Sequence, residues 1–340
     1  MNKELKVSLI MPVYNIASEL KRSIESVLNQ TYKNIELIII NDGSTDLSSE
    51  IIDQYAITNS NIIPIHRENG GVFSARIEGV SQASGKFIGF IDGDDYMERE
   101  MIEMLVKNAI EYNADISHCG YQMVFPDGRI DYYYGTGKLI IQNNEAGLKD
   151  LLEGKFIEPG LWNKLYRREL FDRVKLTDLD CSIKINEDLL LNYYLFKKSN
   201  RSVYEDKCYY HYLIRPNSAA TSKINKNKLS DPLKVLDIML KDHAQEDPCY
   251  DLILIRLIRQ LISLSTMSFK ENPDLILPYK RSALVELRGR LLLILKNNRC
   301  DRKLKIMALC GAVFPTIYQL IHGLYEKHTG LDKKYMVNEK

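Results

Sequence analysis

KVSLIMPVYNIASELKRSIESVLNQTYKNIELIIINDGSTD, residues 6–46, changes its hydrophobic period twice within one short stretch. Residues 6–11 read as a buried strand, and Pro12, which cannot donate to a central ladder, is expected to end it. Residues 17–29 put Leu20, Ile24, Val27 and Leu28 at helical spacing, with Ser18 as the expected cap. Residues 35–40 form a second β-rich run. It is followed at once by Asn41-Asp42-Gly43-Ser44-Thr45-Asp46, a cluster of turn and capping residues.

The same alternation continues outward. Residues 47–56, 75–83 and 98–112 read as helices, and residues 62–65 and 87–91 as strands. Strands that alternate with helices imply right-handed crossovers and a mainly parallel sheet covered on both faces. Asp127-Gly128, between 121–125 and 130–134, predicts a hairpin turn. From about residue 223 the character changes to Leu/Ile-rich segments with basic residues, broken at Pro248, Pro273 and Pro278. That pattern predicts a helical C-terminal region, 223–340, after an α/β domain, 1–222, whose second half starts near residue 121.

The chain of 340 residues has a net charge of only +1, unevenly spread. Residues 221–340 hold 21 Lys+Arg against 13 Asp+Glu, or +8, which leaves 25 against 32, or −7, for residues 1–220. The six cysteines are scattered without a CxxC pair, which argues against a disulfide framework or zinc knuckle and fits a reducing compartment. The apolar run before Pro12 is too short for a signal peptide, so the expected location is cytoplasmic.

In an open parallel sheet, ligands bind outside the carboxyl ends of the strands. Four polar segments fall at such ends: Pro12-Val13-Tyr14-Asn15, the Asn41–Asp46 turn, Glu68-Asn69-Gly70-Gly71, and Asp92-Gly93-Asp94-Asp95. Each alone is a weak signal and reads more readily as a turn. Three carboxylates within four residues repel one another unless a cation or donors compensate them. A hard divalent ion that keeps water and binds phosphate oxygens suits them.

These residues carry a resemblance. PVYN at 12–15, NDGSTD at 41–46, ENGGVFSAR at 68–76 and FIDGDD at 90–95 make residues 1–220 resemble a family 2 glycosyltransferase of the GT-A fold. That fold is Rossmann-like α/β, a mainly parallel sheet flanked by helices. The family is inverting and builds bacterial capsule and exopolysaccharide. The resemblance implies a nucleotide-sugar donor, a UDP-sugar, and a saccharide or lipid-linked saccharide acceptor; nucleic acid is not among the partners it implies.

It also implies roles. Pro12, Val13, Tyr14 and Asn15 would flank the base, Asp42 would accept a hydrogen bond from it, and Arg76 would sit near the nucleotide. Asp92, Gly93 and Asp94 would meet the donor, with Asp92 and Asp94 holding Mg²⁺ or Mn²⁺ and His211 completing the metal shell. Asp188 would be the base for the acceptor hydroxyl and Glu187 its orienting partner. Adjacent helical residues point about 100° apart, so only one of them can face the sugar. Trp162 and Lys164 would lie near the acceptor, and Arg215 and Ser218 would suit a diphosphate. Processive members carry Gln-x-x-Arg-Trp. The only tryptophan here follows Gly160-Leu161, so transfer of one sugar per encounter is expected.

Two other readings compete. A nucleotidyltransferase also pairs aspartates with metal, but it would want a glycine-rich basic loop where PVYN stands. A catalytically dead sugar- or nucleotide-binding module would have no need of Asp188.

The tail offers one more expectation. Lys296, Arg299, Arg302, Lys303 and Lys305 crowd together, and residues 306–321 follow with no charge. At about 1.5 Å each, sixteen residues fall short of the ~30 Å hydrocarbon core. Peripheral contact with the inner face of a membrane is therefore expected rather than a span.

Overall fold

The computed structural model describes residues 5–133, 135–215, 222–267 and 272–329. Two compact units divide the chain, Met1–Arg215 and Pro216–Lys340.

The first unit opens with β1 (Val7–Val13), α1 (Ala17–Leu28), β2 (Ile35–Asp42), α2 (Ser48–Thr58), β3 (Ile62–Arg67), α3 (Val72–Gln82) and β4 (Phe87–Phe90). After them come β5 (Tyr96–Met97), α4 (Met101–Glu111), β6 (Ile116–Val124), β7 (Ile130–Tyr133), β8 (Leu139–Asn143) and α5 (Asn144–Glu153). The unit closes with β9 (Lys164–Arg167), α6 (Arg168–Arg173), α7 (Glu187–Lys198) and β10 (Arg201–Leu213). The strands form one sheet in the order β3-β2-β1-β4-β9-β6-β10-β5, with β7 on β6 and β8 on β10. From β3 to β4 every pairing is parallel; β9 then enters antiparallel to both β4 and β6. The β1 and β2 runs read as continuous apolar segments because both faces are covered, and every residue of β2 is buried.

Three expectations change. Pro12 does not end β1, which continues to Val13 with Pro12 opposite Ile40. Ile10 accepts from Ile91 N–H on the β4 side, and strand groups alternate, so Pro12 turns its missing donor toward the same side. The β1–β4 ladder has already stopped at Ile10, and no bond is lost. Ser18 does not cap α1: the N-cap is Ile16, and the Ile16 and Ala17 amides donate to Ser48 Oγ and Asp46 from the loop after β2. The predicted helix 98–112 begins at Met101, because Tyr96–Met97 pairs with β10 instead.

In the second unit the described elements are helices: α8 (Lys226–Lys241), α9 (Pro248–Thr266), α10 (Pro273–Lys296), α11 (Arg302–Val313) and α12 (Pro315–Thr329). Asn225, Asp247, Asn272 and Asp301 cap the first four through their side chains. Pro248 and Pro273 open helices, where a missing N–H costs nothing. Pro278 lies inside α10 rather than breaking it. The carbonyl it leaves unbonded is that of exposed Asp274 in the first turn, which water can satisfy.

Candidate active site

The loop after β4 is held from three sides. Ser23 Oγ donates to the Asp92 carbonyl and Arg22 to that of Asp94, both from α1. A Cβ at Gly93 would lie 2.5 Å from Ile16 Cδ1 and 3.3 Å from the Pro12 carbonyl, so a larger residue here would have to push the Ile16 side chain aside. Buried Asp95 accepts from Tyr210 Oη at 2.8 Å and from Leu213 N at 2.8 Å, which ties the loop to β10. Burial, with Asp94 and Asp92 close by, holds Asp95 well above the usual carboxylate range. Its part is structural.

Asp92 and Asp94 remain at the strand end, each beside an arginine. Arg76 donates to Asp92 at 2.8 Å and Arg215 to Asp94 at 2.6 Å. Burial raises the Asp94 pKa and the Asp92 charge adds to it, with Arg215 opposing.

The same Arg76 donates through its other terminal nitrogen to Glu187 at 2.9 Å. Arg76 is buried on α3, and its Nε has no partner among the described residues. One guanidinium thus joins the carboxylate loop to the start of α7. Asn186, in the left-handed region at φ 65°, sets the turn into that helix, and Glu187 and Asp188 occupy its first turn. Burial, then Asp188, pushes Glu187 up to about 7 against the pull of Arg76. Burial likewise raises Asp188, opposed by Arg76. Glu187 is hydrogen-bonded by the arginine, whereas Asp188 is half-buried, feels the Arg76 charge, and among the described residues accepts a hydrogen bond from the Leu189 amide beside it.

At the end of β1, half-buried Pro12 and buried Val13 precede exposed Tyr14. Asn15, at φ 50°, accepts from Thr45 N and donates through its own N–H to Ser44 Oγ, so the first two segments interlock. Asp42 is buried, accepts from Gly70 N at 2.9 Å and Gly71 N at 2.7 Å, and is ion-paired with Arg67, whose Nε lies 3.1 Å away. Its carboxylate organises the third segment against the second. Of roughly four acceptor positions on a carboxylate, these amides take two.

Trp162 stacks on Tyr210 with ring centroids 4.4 Å apart and on Tyr212 at 5.8 Å. Burial, then the charges of Asp95, Asp92, Asp94 and Asp188, raises the Tyr212 pKa, so that phenol lies among the site carboxylates. Tyr210 and Tyr212 are site residues that sequence reading missed. Their alternation along β10 was the available signal.

Two expected ligands have other duties. Lys164 is buried and donates to the carbonyls of Glu158 and Gly160 and to Asn163 Oδ1, so it staples the loop that carries Trp162 and does not face a ligand. Burial pushes its pKa down to about 7. His211 stacks on Tyr96 at 4.1 Å and contacts Glu98 and Gln122. It adjoins Tyr210 on the strand and therefore points to the opposite face. Among the described residues, no three His, Cys, Asp or Glu side chains are arranged to hold a cation. Ser218 lies outside the described residues.

Residues 8–175 match the profile of Glycosyl transferase family 2. A cholesterol galactosyltransferase of Borreliella burgdorferi is 30% identical over 258 residues, 73% of this chain and 71% of that protein. The chain belongs to glycosyl transferase family 2. Another relative is glycosyltransferase GlyA of Streptococcus pneumoniae, 34% identical over 220 residues, which are 63% of this chain and 31% of GlyA. The chain therefore spans under a third of GlyA's length. Among solved structures, S. aureus TarS 1–349 in complex with UDP-GlcNAc matches with a TM-score of 0.71 and 20% identity, covering 95% of this chain and 92% of that one. This likeness is one of fold, and it includes the GT-A arrangement followed by helices.

Proposed function

We propose that this family 2 glycosyltransferase moves a single hexose, with inversion, from a UDP-sugar to a hydroxyl of a saccharide or lipid-linked saccharide in surface-polysaccharide synthesis. The observation that carries the reading is Arg76, which joins the carboxylates suited to a donor diphosphate to the pair suited to acceptor activation. The solved TarS complex with UDP-GlcNAc supports a uridine donor. A lipid-linked acceptor would bring the enzyme to a membrane surface.

Asp188 is the base in this reading. Glu187 is engaged by Arg76, and the half-buried Asp188 carboxylate is left to accept the proton of the acceptor hydroxyl. Trp162, backed by Tyr210 and Tyr212, presents an aromatic face to a sugar. Arg215 supplies positive charge next to Asp94, where an anionic diphosphate would lie. Pro12, Val13 and Tyr14 flank the base of the nucleotide.

Asp92 and Asp94 would hold Mg²⁺ or Mn²⁺ as two hard carboxylates whose remaining mutual repulsion a cation would relieve. When bound, such an ion stabilises the charge that develops on the leaving diphosphate.

Thermal unfolding with a panel of nucleotide-sugars tests the reading. A UDP-sugar with Mn²⁺ should raise the midpoint, since a ligand at a hundred times its Kd stabilises by about 2.7 kcal/mol. No shift with any nucleotide-sugar, beside a shift with a nucleoside triphosphate, would favour a nucleotidyltransferase.

A further inference from the structure

The last two helices leave their apolar side open. On α11, Ile306, Leu309 and Val313 are 42–61% exposed, and on α12 Ile317, Leu320, Ile321 and Leu324 are 56–70% exposed. The α12 residues fall at i, i+3, i+4 and i+7, a stripe of helical period on a face that a buried helix would turn inward. Phe314, 57% exposed, joins the two stripes at the bend. An apolar cleft of about 310 Å³ opens between the helices, lined by Ile306, Met307, Cys310, Phe314, Ile317 and others. Leu304, Ala308, Gly311 and Ala312 are the residues of α11 that pack inward, toward α9 and α10. Soluble chains rarely leave so contiguous an apolar face uncovered without a partner.

The charge beside it indicates the partner. Lys296, Arg299, Arg302 and Lys303 are exposed in and around the turn that leads into α11; Arg299 is paired with Asp251 at 3.3 Å, and Asp301 accepts the Leu304 amide as the helix cap. A basic cluster next to an apolar helical stripe complements an anionic bilayer surface. With 12 and 15 residues, α11 and α12 are about 18 and 22 Å long, short of the ~30 Å hydrocarbon core. Among the described residues, no helix is long and apolar enough to cross a membrane.

We infer that α11 and α12 form an in-plane docking surface for an anionic lipid bilayer, with Phe314, Ile317 and Leu320 entering the acyl boundary and Arg302 and Lys303 at the headgroups. The inference goes beyond sugar transfer and does not depend on it.

Flotation of the full chain with phosphatidylcholine vesicles, with and without phosphatidylglycerol, tests it. The protein should float with the anionic vesicles and far less with neutral ones. Ile317→Asp with Leu320→Asp should abolish flotation, and Arg302→Gln with Lys303→Gln should weaken partitioning roughly tenfold or more. All four residues are exposed, so circular dichroism should show unchanged folding. Absence of flotation, or flotation indifferent to lipid charge and to both double variants, overturns the inference. Light scattering supplies one more outcome against it: self-association that Ile317→Asp with Leu320→Asp removes, without vesicle binding, would mean that the face joins two copies.

Discussion

Arg76 lies 2.8 Å from Asp92 and 2.9 Å from Glu187, residues 16 and 111 positions away in the chain. A buried guanidinium shared by two carboxylates is costly to disturb, because removing one member leaves an uncompensated charge. In the proposed reading, the bridge engages Glu187 and leaves Asp188 for chemistry.

Asp188→Asn should therefore leave donor binding nearly unchanged while turnover falls by ~10²–10⁴-fold, the usual share of a general base. The amide keeps the shape of the helix start, so folding should survive. Loss of turnover in Glu187→Gln with wild-type rates in Asp188→Asn would reverse the roles.

The acid limb of the rate profile should move with Arg76. The base works deprotonated, and burial raises Asp188 above the ordinary carboxylate range, so turnover should climb with pH along a limb that lies above that of a free aspartate. Arg76 opposes that shift. Arg76→Met should displace the limb to higher pH, and Arg76→Lys, which keeps charge but not the fork, should displace it less. An unmoved limb, or one at lower pH, would separate Arg76 from the base.

Asp94→Ala should remove the metal dependence of UDP binding, since one carboxylate fewer leaves the diphosphate charge poorly compensated. Calorimetry of UDP with and without Mn²⁺ measures this. Equal affinity in wild type and variant with Mn²⁺ present would exclude Asp94 as a ligand.

Lys164→Met should destabilise the fold by about 1–3 kcal/mol, because three acceptors around Nζ lose their donor. Donor affinity should hold. Urea unfolding and UDP titration separate the two effects. Weakened UDP binding at unchanged stability would return Lys164 to the ligand side.

What could be read from the sequence follows from how local each feature is. The β1 and β2 runs and the acidic turn after β4 announce themselves, because a fully buried strand needs an unbroken apolar run. The α7 start was legible through its Asn-Glu-Asp. Ser18 was not legible as a non-cap, since the groups that satisfy α1 come from Asp46 and Ser48. Pro12 looked like a strand end because a sequence does not show which neighbour has already departed. The four residues of β9, wedged antiparallel between β4 and β6, are too short to carry a periodic signal. Lys164 and His211 misled for a related reason: a polar side chain in a motif looks ligand-facing until its burial and the strand's alternation are known.

The central claim is transfer from a UDP-sugar by the Asp92–Arg76–Asp188 site. Its most direct measurement is acceptor-dependent UDP release from a panel of UDP-, GDP- and dTDP-sugars with Mn²⁺, for wild type, Asp94→Ala and Asp188→Asn. UDP release with at least one UDP-sugar, lost in Asp94→Ala and reduced by ~10²–10⁴-fold in Asp188→Asn, is the predicted result. Release that persists in both variants, or no release from any UDP-sugar beside turnover of another donor, would contradict it.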